Sequence, residues 1–524
     1  MNPQTLSLGT YQSSFAREIR LWCEENRVRR LWEKDASLWT GKDEARWLGW
    51  LDVVPRELSR IDELEALARE VSGFESAVVL GMGGSSLCPD VLRRSFGRRP
   101  GFPRLHVLDS TVPAQIAELE ADLNIGATLF IVASKSGTTA EPNAFEKYFF
   151  DRAQTGAQFL AITDPGSSLE RLARERGYRR ILHGDTEIGG RFSALSRFGL
   201  APAAISGIEA RAFLNRAREM ADACGPDVPP EENPGVALGV ALGVLALAGR
   251  DKLTLFTSPE VESFGGWLEQ LVAESTGKDG KGIVPVDREA PGASYGDDRL
   301  FAYVGIGPSS MLSPLEEAGH PVIRIELDSV EGLAEEFFRW EIATAVAGSV
   351  LELNPFDQPD VEAAKVATRS LMARFEETGD LPRLPSRRDA DLNELLSTIA
   401  PGDYFAINAF VAMNRENDLE LQALRHRVRD EKRVATNLGY GPRYLHSTGQ
   451  LHKGGSNRVV FLHITSEDAN DLPIPGQKYT FGQMKAFQAL GDFEVLRARG
   501  RRALHVHLGP DVPSELRSLR LLTS

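Results

Sequence analysis

A short stretch of the chain, VASKSGTTAEPN, places four hydroxyls and one lysine directly behind an apolar run. These residues are Ser134, Lys135, Ser136, Thr138 and Thr139, and we call residues 134–139 the hydroxyl turn. A helix cap made by Thr138 or Thr139, with Glu141 near the first turn, accounts for one or two of the hydroxyls. Because several hydroxyls and backbone amides at a helix start satisfy the oxygens of a phosphate, the turn predicts an anion site.

A glycine-rich loop lies about fifty residues earlier, in VVLGMGGSSLCP. Gly83 and Gly84 follow a predicted strand, and Ser85 stands at a predicted helix start. A dinucleotide fingerprint G-x-G-x-x-G occupies the same place in other folds, but its last glycine is Ser86 here. Asp109 ends the next strand, so the dinucleotide alternative stays open on this loop alone.

The segment GGWLEQLVAESTGKDGKG offers a general base. Gln270 and Glu274 are four residues apart and therefore share one face of a helix. Thr276 and Gly277 end that helix, which places Glu274 in its last turn, where the helix dipole opposes negative charge. A base that removes a proton from carbon suits such a position. The alternative is a solvated surface glutamate.

Two further segments supply candidate cations. In EIGGRFSALSRFGL, the glycines before Arg191 allow close approach of the backbone to a ligand, and the guanidinium suits developing negative charge. An ordinary ion pair is the alternative. In NPFDQPDVEAAK, Gln358 and Lys365 are seven residues apart, on one helical face. An isolated Lys365 would be read as solvated surface.

Composition limits the function class. The 524 residues are 42% hydrophobic and 26% charged, which is typical of a globular protein of two or three domains. A net charge of -14 argues against nucleic-acid binding. Cys23, Cys88 and Cys224 show no CxxC spacing, so neither a disulfide framework nor a zinc site is indicated.

The apolar runs predict no membrane partner. The first residues lack the pattern of a signal peptide, which favours the cytoplasm. The run GVALGVALGVLALAG, residues 235–249, is shorter than the roughly 20 residues of a spanning helix. It follows Asn233 and Pro234, a good helix start. We therefore predict a helix buried against a sheet.

Apolar runs separated by helix-length segments predict an α/β fold with mostly parallel sheets. The predicted division is a helical segment over 1–70, a first α/β domain over 71–230, a second over 231–395, and a C-terminal α/β part over 396–524. That last part completes or extends the second domain. Residues 376–400 are polar and contain prolines, which indicates a linker.

The pair GMGGSS and SKSGTT resembles the sugar isomerase domain, and within it the phosphoglucose isomerase family. The resemblance implies two flavodoxin-like domains, each a three-layer αβα sandwich. It also implies which residues hold the sugar phosphate, namely Ser134, Lys135, Ser136 and Thr139, with Gly84 and Ser85 close to the sugar.

The same resemblance implies an enzyme. Glu274 matches the family's base and Gln270 its nearby glutamine, Arg191 matches the arginine beside the enediolate, and Gln358 and Lys365 match the segment of the ring-opening lysine. The implied reaction interconverts glucose 6-phosphate and fructose 6-phosphate through an enediolate, without metal or organic cofactor. The implied partner is a small sugar phosphate.

In the family, a histidine that assists ring opening lies between the base and the lysine along the sequence, and this chain departs from that order. Only His320 lies between Glu274 and Lys365, and its neighbours do not match. The segment YLHSTGQLHKGG does match, which makes His446 the candidate and His452 its rival. This rearrangement resembles the isomerase half of bacterial transaldolase/phosphoglucose isomerase fusion proteins. In the family the histidine comes from a neighbouring subunit, which implies a homodimer.

Three other functions remain as alternatives. A non-catalytic sugar-phosphate sensor would need the hydroxyl turn but not Glu274, Arg191 and Lys365 together. A metal-dependent isomerase would need a His/Glu cluster, and only His505 and His507 share a strand face. A dehydrogenase ranks third because the glycine loop lacks its last glycine.

Overall fold

The computed structural model describes residues 1–292, 294–380 and 390–522 of the chain. Its strands are β1 (Gln4–Ser7), β2 (Ser76–Gly81), β3 (Arg104–Leu108), β4 (Thr128–Ala133), β5 (Phe159–Thr163), β6 (Arg180–His183), β7 (Lys252–Thr257), β8 (Val284–Val286), β9 (Arg299–Ile306), β10 (Val322–Leu327), β11 (Tyr404–Phe410), β12 (Ala435–Tyr440), β13 (Val459–Ser466) and β14 (Arg502–Leu508).

Its α-helices pack around these strands and connect them. They are α1 (Gln12–Glu24), α2 (Arg27–Trp32), α3 (Val53–Ser59), α4 (Ile61–Glu70), α5 (Leu87–Phe96), α6 (Pro113–Ala121), α7 (Ala140–Ala153), α8 (Ser168–Glu175), α9 (Arg197–Ile205), α10 (Ala210–Ala223), α11 (Pro234–Leu247), α12 (Phe264–Thr276), α13 (Ser313–Glu317), α14 (Leu333–Val350), α15 (Pro359–Thr378), α16 (Ala390–Ser397), α17 (Arg415–Lys432), α18 (Gly449–Gly454), α19 (Phe481–Ala498) and α20 (Val512–Leu522).

The first sheet has the strand order β3-β2-β4-β5-β6, and all its strands are parallel. This is the flavodoxin-like order, with a switch point between β2 and β4. Residues of β2 alternate between two apolar cores: Ala77 and Val79 face one, while Val78 and Leu80 face the other. The buried run therefore lies between two layers, and the predicted α/β class is confirmed.

The second sheet has the order β1-β10-β9-β7-β8. Strands β7 to β10 are parallel, whereas β1 pairs antiparallel with β10. The N-terminal segment, predicted as helical, is helical from α1 to α4 but starts with this strand. The polar sequence QTLS has no strand pattern of its own. Pairing with β10 and the hydrogen bond from the Asn2 amide to the Glu335 carboxylate (2.6 Å) hold it in place.

The third sheet is formed by the C-terminal residues in the order β12-β11-β13-β14, again all parallel. The apolar runs DYFAINAFVAM, RVVFLHIT and ALHVHLG predict three strands here and form β11, β13 and β14. The helices that the sequence predicts around Asp418 and Met484 are α17 and α19. Strand β12 was not predicted, because polar residues interrupt its apolar run. The proposed domain boundaries stay a prediction, and residues 381–389 of the expected linker lie outside the described residues.

The apolar run over 235–249 forms α11, which is buried as predicted. Its main neighbour is helix α14 rather than a sheet. A Cβ at Gly239 would lie 2.4 Å from the Ala343 carbonyl oxygen, so the two helices approach closely there. Within the described ranges, no helix combines the length and apolarity needed to cross a bilayer.

Helix α14 also carries a fully buried carboxyl group, Glu341, whose pKa burial raises well above its usual value. An unfolded glutamate ionises near pH 4. Above that pH the unfolded state releases this proton and is stabilised, whereas the folded state keeps Glu341 protonated. The free energy of unfolding therefore falls as pH rises, by up to about 1.4 kcal/mol per pH unit. We expect Glu341→Leu to gain stability relative to the parent between pH 5 and pH 8 in urea unfolding. An equal difference at both pH values would contradict this.

Candidate active site

Two loops meet at the switch point of the first sheet. Strands β2 and β4 are hydrogen-bonded neighbours, so the glycine loop after β2 and the hydroxyl turn after β4 lie at the same sheet edge. In open parallel sheets, ligands bind outside the carboxyl ends of the strands at this point. The fold therefore places the hydroxyl turn, predicted to bind phosphate, and the glycine loop, predicted to lie close to the sugar, where a ligand is expected.

The hydroxyl turn is held by bonds within itself. The Gly137 amide donates to Ser134 Oγ (3.2 Å), Ser134 Oγ lies 3.3 Å from Thr139 Oγ1, and Ser136 and Thr138 share a 2.8 Å bond. Thr139 is the N-cap residue of α7, yet its side chain makes no capping bond. The capping alternative thus does not account for this hydroxyl.

Lys135 points away from the other turn residues. Its Nζ donates to Asp164 Oδ2 and to the Asp185 carbonyl oxygen, both at 2.6 Å. These bonds tie the turn to the segments that follow β5 and β6. A direct role of the Lys135 ammonium with phosphate stays a prediction.

Helix α12 presents Gln270 and Glu274 on one face, as their spacing predicted. Gln270 Nε2 donates to Glu274 Oε2 at 3.1 Å. The Glu274 side chain is 12% exposed, and Arg191 Nε lies 3.8 Å from Glu274 Oε2. The carboxylate is therefore partly withdrawn from water beside one fixed cation.

Arg191 is 2% exposed and is anchored through one of its terminal nitrogens. Nη2 donates to the carbonyl oxygens of Phe356 and Asp357, both at 3.1 Å, and to Gln358 Oε1. Nη1 is buried and has no partner within the described part of the chain. Burial lowers the pKa of Arg191, and the charges of Glu274 and Asp357 oppose that effect. The site thus contains a fixed guanidinium with one unused donor.

The glycine loop packs against the loop that carries Arg191. A Cβ at Gly84 would lie 1.9 Å from the Gly190 carbonyl oxygen, so only glycine fits. Ser193 Oγ reinforces the contact by donating to that oxygen at 2.6 Å. Ser85, the next residue, is partly exposed.

Gly84→Ala is expected to destabilise the protein by about 3 kcal/mol or more, because the new Cβ would overlap the Gly190 backbone and push the two loops apart. Gly189→Ala is the matched control, since a Cβ there meets nothing within 4 Å. Thermal unfolding of both variants measures the effect. Equal melting temperatures would show that the close packing of the two loops does not matter.

A cavity of about 280 Å³ lies between the hydroxyl turn, α15 and the turn Arg443–His446. Its lining includes Ser136, Thr139, Glu141, Lys365, His446 and Gln488. Lys365 is 46% exposed on α15, and its Nζ lies 4.0 Å from Glu362 Oε2. The structure thus places the predicted lysine and the predicted histidine around one space.

His446 is oriented at two points. Its Nε2 lies 2.8 Å from Glu141 Oε1, and its carbonyl oxygen accepts from Gln270 Nε2 at 2.7 Å. Burial raises the pKa of the Glu141 carboxyl. The charge and hydrogen bond of His446 and the charge of Lys365 together outweigh burial, so the pKa of Glu141 lies below its usual value. Gln270 therefore joins the turn that carries His446 to Glu274, the predicted base.

Comparison with known proteins decides the family. The family model described as phosphoglucose isomerase matches residues 67–297. A probable glucose-6-phosphate isomerase of Natronomonas pharaonis is 30% identical over 384 residues, which cover 64% of this chain and 88% of that protein. The chain belongs to the phosphoglucose isomerase family. A glucose-6-phosphate isomerase of Rubrobacter xylanophilus is 28% identical over 61% of this chain and 88% of its own length.

Solved structures agree with the phosphoglucose isomerase fold. A hypothetical protein from Thermus thermophilus superimposes with a TM-score of 0.58 at 26% identity, over 70% of this chain and 99% of its own. A glucose-6-phosphate isomerase from Chlamydia trachomatis does so with a TM-score of 0.53 at 22% identity, over 67% and 78% of the two chains.

In this member of the phosphoglucose isomerase family, three further residues at the site were not predicted. Glu141 was considered only as a helix-cap neighbour. Lys278, in the ESTGK segment after Glu274, donates to the Asn354 and Asp357 carbonyl oxygens, both at 2.6 Å, and so fixes the chain that holds Arg191. Burial lowers the pKa of Lys278 to about 8. Gln488 comes from α19, and no local pattern marks it.

The other histidines occupy different surroundings. His452, the predicted rival, is 1% exposed between Tyr404, Tyr444 and Phe461. Burial lowers the pKa of His452 to about 3. His320 bonds to Arg250, while His505 and His507 both bond to Thr465. Across the residues that the structure describes, no group of three or more His, Cys, Asp or Glu is placed to bind a metal.

Proposed function

We propose that this protein is a glucose-6-phosphate isomerase. The observation that carries the proposal is the amide of Gln270, which donates both to the Glu274 carboxylate and to the backbone of His446. One side chain thus links a base suited to proton transfer at carbon with a histidine suited to ring opening. Membership of the phosphoglucose isomerase family supports the same reaction.

The proposed reaction starts with phosphate bound at the hydroxyl turn by Ser134, Ser136 and Thr139. His446 takes the proton of the C1 hydroxyl and passes it to the ring oxygen O5 as the C1–O5 bond breaks. The ammonium of Lys365 supplies positive charge on the same cavity wall. The product of this step is the open-chain aldose, with no net change in protons.

Glu274 then removes the proton from C2 of the open-chain aldose. The electron pair moves to the carbonyl oxygen and gives an enediolate, whose charge the free Nη1 of Arg191 stabilises. Return of the proton to C1, with transfer of the hydroxyl proton between oxygens, yields fructose 6-phosphate. Because one base serves both carbons, part of the hydrogen from C2 should reach C1.

The direct test is an assay of fructose 6-phosphate formation from glucose 6-phosphate by the purified chain, with and without a chelator. Activity that persists with the chelator, and carries label from C2 to C1, is the expected result. Binding of glucose 6-phosphate without turnover would instead make the protein a sugar-phosphate sensor. Activity that disappears with the chelator would contradict the proposed mechanism.

We further propose a cytoplasmic enzyme and a homodimer. The homodimer follows only from the family resemblance, in which the histidine comes from a neighbouring subunit. In this chain, His446 and its partner Glu141 belong to the same subunit. The proposed homodimer therefore does not supply this histidine across its interface.

His446→Ala is expected to lower kcat for glucose 6-phosphate about 100-fold, because general acid–base assistance to ring opening is lost. His452→Leu is the matched control for the rival residue, since His452 only packs in the interior. Steady-state kinetics and thermal unfolding of both variants separate the two roles. Full activity of His446→Ala on cyclic substrate would overturn the assignment.

A further inference from the structure

Gln488 connects the third sheet to the catalytic histidine. This side chain of α19 is 4% exposed and lines the cavity. Its Nε2 donates to Glu141 Oε1 at 2.7 Å. That oxygen is the one that lies 2.8 Å from His446 Nε2. One carboxylate oxygen therefore receives hydrogen bonds from an amide and from the imidazole.

The orientation of the Gln488 amide is determined by the Glu141 carboxylate, which can only accept when it is ionised. Thr111 Oγ1 lies 2.9 Å from Gln488 Oε1, and both groups are buried. An amide oxygen can only accept, so the threonine hydroxyl must donate. The amide nitrogen therefore faces Glu141. A flipped amide would place its oxygen against the carboxylate and lose that bond, while Thr111 Oγ1 could still accept from the amide nitrogen.

Packing keeps α19 in register with the helix that carries Glu141. Phe481, at the start of α19, stacks on Phe145 of α7 at 6.0 Å between ring centres and meets Tyr148 edge-on at 5.5 Å. Gln488 follows two helical turns later. The contact between α7 and α19 thus fixes the amide relative to the carboxylate.

We infer that Gln488 is a positioning residue for ring opening, an inference that rests on the proposed function. By donating to Glu141 Oε1, it holds that oxygen toward His446 Nε2 and keeps the imidazole in one orientation. Because an ionised Glu141 can only accept, His446 Nε2 must carry the proton that it donates to Glu141. His446 Nδ1 is then free of a proton and can accept the hydroxyl proton of the substrate. The ionisable groups that act on Glu141 are His446 and Lys365, while Gln488 and Thr111 are neutral.

The experiment measures ring opening itself, as the enzyme-catalysed exchange between the anomers of glucose 6-phosphate followed by NMR exchange spectroscopy. We compare the full chain with Gln488→Met, Gln488→Glu and Gln483→Met. Gln483 lies on the same helix, where it forms a capping box with Thr480 and does not contact the site. Its variant therefore reports destabilisation of α19 without loss of the bond to Glu141.

We expect Gln488→Met to slow anomer exchange about tenfold and to change KM less than twofold. The expected loss is that of one hydrogen bond to a charged group. Gln488→Glu should slow it further, because its carboxylate repels Glu141. Gln483→Met should lower the melting temperature and leave exchange unchanged. Exchange in Gln488→Met within twofold of the parent, or an equal loss in Gln483→Met, would overturn the inference. A parent without isomerisation or anomer exchange would overturn the proposed function as well.

Discussion

Glu274→Gln is expected to lower kcat for glucose 6-phosphate about 10³- to 10⁴-fold and to change KM less than about threefold. The amide has nearly the same shape as the carboxylate but cannot accept the proton from C2, and general base catalysis of this kind contributes up to about 10⁴-fold. Substrate binding should survive, because the hydroxyl turn, the proposed phosphate site, is unchanged. Gln270 loses only one of its two acceptors, since it still bonds to the His446 carbonyl oxygen.

Two measurements separate this chemical role from damage to the fold. Anomer exchange should continue in Glu274→Gln, because ring opening uses His446, while hydrogen transfer between C2 and C1 should stop. Glu269→Gln is the matched control: it lies on the same helix but lines a different cavity, together with Arg425 and Arg443. If Glu274→Gln kept a tenth or more of the parent's kcat, Glu274 would not be the base.

Arg191→Lys is expected to lower kcat about 10²- to 10³-fold, the second-largest effect. Lysine keeps the charge but loses the fork in which Nη2 is anchored and Nη1 remains free for the enediolate. Losing one preorganised donor to a developing oxyanion costs about this factor. KM should rise only slightly, because the donor acts mainly after C2 has lost its proton.

A buried arginine also stabilises the fold, so this prediction needs its own control. Arg197 follows six residues later and pairs with Glu57 and Glu63, at 3.0 Å and 2.8 Å, away from the site. Arg197→Lys should lower the melting temperature while kcat stays near that of the parent. Comparable kcat losses in the two lysine variants would mean that Arg191 acts through stability alone.

The sequence predicted the local parts of the site well. The spacing of Gln270 and Glu274 determines that both side chains leave one face of a helix, and the structure shows the bond between them. The hydroxyl turn likewise follows a buried strand and precedes a helix, as its residue types indicate. Such features depend on helical periodicity and on turn chemistry within a few residues.

Other predictions failed to anticipate contacts between distant segments. The sequence of β1 is polar, and only its pairing with β10 makes it a strand. The sequence likewise did not reveal that the Lys135 ammonium donates to Asp164, 29 residues away, and its role with phosphate stays a prediction. A lysine side chain is long and flexible, so the nearest carboxylate in the folded chain decides where it points.

By itself, the sequence determined the α/β class, the hydroxyl turn between a strand and a helix, the shared helix face of Gln270 and Glu274, and the family resemblance, because each depends on patterns within one segment. The tertiary structure alone decided which histidine faces the cavity and which groups orient it. Glu141 and His446 are 305 residues apart, and Glu141 and Gln488 are 347 apart. Local propensity carries no information about such pairs. Glu141 and Gln488 meet because the apolar faces of α7 and α19 pack against each other, and the turn Arg443–His446 brings the imidazole to the same carboxylate.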